Sequence, residues 1–123
     1  MDAALAYQKA VSLAIRSLEI NSRDATVLSN TAAYYAMLGR RRESFDYLER
    51  ALELSGNRDP ELLFEAALVH NQFGETSVAL QWLEKARIAG FSPKTISDSP
   101  AFDNLHGNAQ FQAILQGRLN HEK

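Results

Sequence analysis

An internal repeat constrains this chain more than any other feature. The segments YYAMLGRRRESFDYLERALEL and VHNQFGETSVALQWLEKARIA align without a gap. Gly39 stands against Gly74, Ser44 against Ala79, Leu48 against Leu83 and Ala51 against Ala86, each pair 35 residues apart. A partial third copy precedes them, where SLEINSRDATVL from Ser17 matches ALELSGNRDPELL from Ala51 at a spacing of 34. Self-similarity at this period means that each copy is one supersecondary unit, which buries its apolar face only by stacking on its neighbours.

Each full copy predicts two helices. Leu28, Thr31, Ala32 and Tyr35 recur at the spacing of one helix face, and Gly39 follows as a stop, because glycine enters the left-handed conformation without a Cβ clash. Phe45, Leu48, Ala51 and Leu52 form the second stripe. The next copy repeats the pattern with Leu63, Ala66, Ala67 and His70, then Gly74, then Ala79, Leu80, Leu83 and Ala86. Asp24 and Asp59 are placed as N-caps, with Pro60 at a first helical position and Glu61 favoured by the helix dipole. The alanines have a packing reason: two backbones in a helical hairpin approach closely, and a larger side chain would overpack the contact. Met1 to Ile20 supplies a second-type helix without a first-type partner, so the expectation is a chain cut from a longer protein rather than an array that starts on a half repeat.

This pattern resembles the tetratricopeptide repeat. Leu28, Thr31–Ala32, Tyr35, Ser44, Leu48 and Ala51 stand where that family has its large, small, aromatic, small, large and small residues. Leu63, Ala66–Ala67, His70, Ala79, Leu83 and Ala86 form the next copy. The departures are Leu for the signature Trp, Ala for the usual Gly, no helix-ending Pro at Gly56, and His70 in an aromatic position. The resemblance implies an all-α fold, a right-handed superhelical stack of antiparallel helix pairs, spanning residues 1–93 as a half repeat 4–24 and full repeats 25–58 and 60–93. Residues 94–123 are expected to be a capping segment of two short helices.

Composition narrows the function classes. The chain has no cysteine, which removes disulfides, thiol nucleophiles and thiolate zinc sites. Its N-terminus lacks the basic start and apolar run of a secretory signal, and no window approaches the length of a membrane span. Lys and Arg number 8 against 7 acidic residues in 1–58, and 5 against 8 in 59–123, so neither half is a nucleic-acid footprint. The expectation is a soluble, cytoplasmic domain without nucleic-acid or membrane partners.

No catalytic, cofactor or metal motif is found. His70 falls on a packing stripe, and as a base it would need a partner that no motif places. His106 and His121 fall in a turn and in the C-terminal tail. The basic run Arg40 to Arg42 reads either as a solvated inter-helix turn or as an anchor for an acidic partner. The resemblance implies that the first helix of each repeat lines a concave, partner-binding face. Carried over, that face is Thr26, Ser29, Asn30, Ala33 and Met37 in one copy and Glu61, Phe64, Glu65, Leu68, Asn71 and Gln72 in the next. Phe64 and Leu68 would stack on one side of their helix, either to take a peptide or helix of a partner or to pack on a neighbouring helix or on the C-terminal tail. No lysine or arginine stands on these faces, so a clamp for a C-terminal carboxylate is not expected.

The C-terminal stretch FSPKTISDSPAFDNLHGNAQFQAIL predicts the cap. Asp98 or Ser99 is the N-cap of one short helix with Pro100 at its start, and Asn108 is the N-cap of the other. Phe102, Leu105, Phe111, Ile114, Leu115 and, more weakly, Leu119 form the apolar faces. The stretch also resembles the closing element of repeats in bacterial multidomain signalling proteins, with Ala109 in place of the second Pro. The functional expectation is non-catalytic protein–protein binding or scaffolding. The alternatives are a homodimer through the unpaired N-terminal helix, with Leu5 and Leu13 exposed, or a module regulating an attached kinase, cyclase or DNA-binding domain.

Overall fold

A computed structural model describes residues 2–117 of the chain; Leu119 and His121 lie outside them. Five longer helices come first: α1 (Ala3–Ile20), α2 (Ala25–Met37), α3 (Arg41–Ser55), α4 (Pro60–Gln72) and α5 (Thr76–Ile88). Three short pieces follow: α6 (Pro93–Asp98), a 3₁₀ helix (Pro100–Leu105) and α7 (Ala109–Leu115). No strand occurs among the described residues. The fold is therefore all-helical, and its first five helices carry a helical repeat.

Local chemistry sets the helix starts and stops. The carboxylates of Asp2, Asp24 and Asp59 accept from the N–H groups of Ala4 at 3.0 Å, Val27 at 3.1 Å and Glu61 at 2.9 Å, satisfying donors that the first turn leaves free. The α2–α3 and α4–α5 turns are the same device. Gly39 at φ 72° and Gly74 at φ 77° take the left-handed conformation. One residue later, Arg40 N–H donates to Tyr35 O at 2.9 Å and Glu75 N–H to His70 O at 3.0 Å.

The hairpin interiors repeat side chain for side chain. Tyr35 stacks on Tyr47 with ring centroids 5.7 Å apart, and 35 residues on, His70 stacks on Trp82 at 6.3 Å. Arg50 lies over the Tyr47 ring at 4.9 Å; its counterpart Lys85 lies over Trp82 at 4.4 Å. Ala32, Ala51, Ala67, Ala79 and Ala86 are each 0 % exposed, as close backbone approach requires. At Ser44 the approach adds a bond: its buried Oγ donates to Ala32 O at 2.7 Å.

The chain divides into two compact units between Arg58 and Asp59. The first holds α1, α2 and α3 around a cluster of Leu18, Leu28 and Ala51, with Val27, Tyr47 and Leu54 packed against it. The second holds α4, α5 and the three short helices around Ala67, Leu80, Leu83, Ile96, Phe102, Leu105, Phe111 and Ile114. The C-terminal segment thus shares one core with the second full repeat. Burying Phe102 and Phe111 contributes roughly 1.5–3 kcal/mol each before entropy costs.

This segment differs from expectation in one respect: it has three short helices, not two. The additional one is α6, where the Ser92 hydroxyl caps the Thr95 N–H at 3.3 Å, Pro93 takes the first helical position and Ile96 is buried. With six residues, it has too few turns to show a periodicity. Ser99 occupies the cap position of the 3₁₀ helix without a side-chain bond, whereas Asn108 Oδ1 accepts from Phe111 N–H at 2.9 Å.

Candidate interaction surface

Helix α2 keeps one row open. Thr26, Asn30 and Met37 are exposed, Met37 by 48 %, and Ala33 is half-buried. Ser29 does not belong with them. It lies one turn before Ala32 and two before Ala36, on the packed side, and is buried with no hydrogen-bond partner for its Oγ. The face assigned to α2 from sequence is therefore narrower than expected: a residue one position off the open row turns inward.

Helix α4 splits in the same way. Glu61 and Gln72 are exposed, whereas Phe64, Glu65, Leu68 and Asn71 are half-buried. Phe64 stacks on Phe91 at 4.3 Å with the rings 14° from parallel, and meets Phe102 edge-on at 5.7 Å. Leu68 packs against the same cluster. Asn71 donates to Ala101 O at 2.8 Å and exchanges amide hydrogen bonds with Asn104. Of the two occupants weighed for Phe64 and Leu68, the C-terminal segment of the chain itself is the one in contact.

Glu65 stands one turn from Glu61. One of its carboxylate oxygens is buried without a hydrogen-bond partner. Burial, and secondarily the Glu61 charge, push its carboxyl up to about 7.

The histidine and arginine candidates find structural partners. His70 Nδ1 lies 2.7 Å from Glu75 Oε1, closing the α4–α5 turn, with side-chain exposures of 16 % and 27 %. Sequence reasoning missed this carboxylate partner because it rests on no motif: the two residues meet only across the Gly74 turn. In the basic run, Arg40 pairs with Glu43, Arg41 lies over the Phe45 ring at 4.8 Å, and Arg42 is exposed. An open cleft of about 490 Å³ in the first unit is lined by Ser22, Arg23, Leu28, Arg50, Glu53 and Leu54, and it was not anticipated. Among the described residues, no three His, Cys, Asp or Glu side chains gather to hold a metal ion, and no helix is long and apolar enough to cross a membrane.

Compared with family models, curated proteins and solved structures, the chain finds no match.

Proposed function

We propose that this chain is a non-catalytic binding scaffold of the tetratricopeptide kind. It takes a helix or extended peptide of a partner protein on the open row of a first helix: Asn30, Ala33 and Met37 on α2 of the first unit, while on α4 of the second unit Glu61, Glu65 and Gln72 are the residues left to such a role. Phe64, Leu68 and Asn71 serve the docked C-terminal segment instead. The observation that carries this reading is the division of labour on α2. Its inner face is consumed by packing, with Leu28, Thr31 and Ala32 at 0 % exposure, while Met37 on the outer row is 48 % exposed. A large apolar side chain exposed on a helix, on the same row as Asn30, suits recognition of an amphipathic segment.

Panning a displayed peptide library against the full chain tests this. Enriched peptides are expected to lose binding to Met37→Glu, with helicity and melting temperature unchanged. No enrichment, or binding indifferent to Met37→Glu, overturns the reading.

A further inference from the structure

Helix α1 carries a seam whose centre, Ala10 to Ser17, is closed in its two counterparts. Ala6, Ala10, Leu13, Ser17 and Ile20 follow at spacings of four and three, the apolar row of a heptad. The matching row in α3 includes Ser44, Tyr47 and Ala51, and in α5 Ala79, Trp82 and Ala86. Ser44, Ala51, Ala79 and Ala86 are 0 % exposed. Helix α2 closes the α3 seam, with Ser44 bonded to Ala32 O and Tyr47 stacked on Tyr35. Helix α4 closes the α5 seam in the same register, with Trp82 on His70. On α1, by contrast, Leu13 is 65 % and Ile20 90 % exposed, and Ala6 and Ser17 are exposed as well. Helix α2 meets α1 on another face, where Tyr7 lies against Tyr34 and Leu18 joins the Leu28 cluster.

The seam's own residues specify its occupant. Ala10 and Ser17 admit a closely approaching backbone, as Ser44 and Ala51 do in α3. Leu13 replaces an aromatic, which leaves room for a large opposing ring. Lys9 and Arg16 are exposed along one edge, and neither has an ion pair among the described residues. A second copy is a poor occupant, because a two-fold antiparallel pairing sets Lys9 and Arg16 against the same two cations. An anionic membrane is poorer still, since basic lipid-binding clusters use roughly four to eight cations.

We propose that the α1 seam docks one amphipathic helix of a partner protein, with the packing stripe of α2 and α4 but an acidic flank. Such a helix carries small residues opposite Ala10 and Ser17, an aromatic opposite Leu13, and carboxylates along the edge facing Lys9 and Arg16. The site is separate from the α2 row of Asn30 and Met37, so either can fail without the other.

The probe is a labelled synthetic peptide of residues 59–74, a first-type helix, titrated with the full chain. It carries Leu62→Glu and Val69→Glu beside its Leu63, Ala66, Ala67 and His70 stripe, because Glu61 and Glu65 stand on its opposite side. It is expected to bind where its scrambled version does not. Ala10→Leu should weaken binding roughly tenfold by overpacking the seam. Lys9→Glu with Arg16→Glu should weaken it comparably and remove most of its salt dependence, while Met37→Glu leaves it unchanged. The charge reversals alter only exposed side chains, so they keep the test decisive if Ala10→Leu lowers the melting temperature. No binding, or binding that survives both α1 variants, overturns the proposal. So does a dimer in sedimentation that Leu13→Glu dissociates, since a second copy then fills the seam. Capture by phosphatidylserine vesicles in place of the peptide, lost on the double charge reversal, overturns it equally.

Discussion

At the residue scale, Glu65 is the position where chemistry and packing conflict. Its carboxyl, pushed up to about 7 by burial and by Glu61, holds a proton in the folded protein at pH values where the unfolded chain, near 4.5, has released it. The folded state therefore binds more protons across that window, and stability falls as pH rises from the lower value to the upper. Glu65→Gln is expected to remove this slope. Near pH 4 the variant and parent should have similar stability; near pH 8 the variant should be more stable by roughly 1–3 kcal/mol, with partial solvent screening allowed for. Urea unfolding across the pH series measures it, and parallel pH profiles for parent and variant would show that Glu65 does not titrate in that window. Ser44 offers a second test, because its bond to Ala32 O has no counterpart at Ala79. Ser44→Ala should cost about 0.5–1.5 kcal/mol in the same assay. No change in the unfolding midpoint would mean that the bond contributes nothing.

At the element scale, the repeat was legible because it is local. The stops at Gly39 and Gly74, the caps at Asp24 and Asp59 and the small residues of the hairpins all follow from backbone sterics and the helical period, which act within a few residues. The cap was legible only in part. Helix α6 is held by one serine, one proline and one buried isoleucine, and no period can emerge from so short a run. The open face of α4 stayed ambiguous for a different reason: an apolar residue that waits for a partner and one that waits for the chain's own end look alike in sequence. Phe64→Ala removes the stack on Phe91 and the edge contact with Phe102. It is expected to cost roughly 2–4 kcal/mol, below the upper range for a fully buried ring because Phe64 is half-buried. Thermal melts decide the point: a midpoint within a degree or so of the parent would show that Phe64 is a surface residue free to bind something else.

At the scale of the whole molecule, the two units have separate apolar clusters, one around Leu28 and one around Phe102. Phe102→Ala should therefore lower amide-exchange protection over α4, α5 and α7 far more than over α1, α2 and α3. Uniform loss of protection along the chain would mean that the units unfold as one. The binding proposals also belong to this scale, because each concerns a helix face that its own unit leaves open: Met37 on α2, and Leu13 with Ile20 on α1. By itself the sequence determined the five longer helices, the caps and glycine stops that bound α2 and α4, and the inner faces of the hairpins, since capping, glycine turns and periodicity are short-range physics. Only the tertiary structure decided which outer faces are spent. It turned Ser29 inward, set the C-terminal phenylalanines on Phe64, paired His70 with Glu75 and left the α1 seam open. Those outcomes depend on contacts between residues far apart in the chain, and no local rule carries that information.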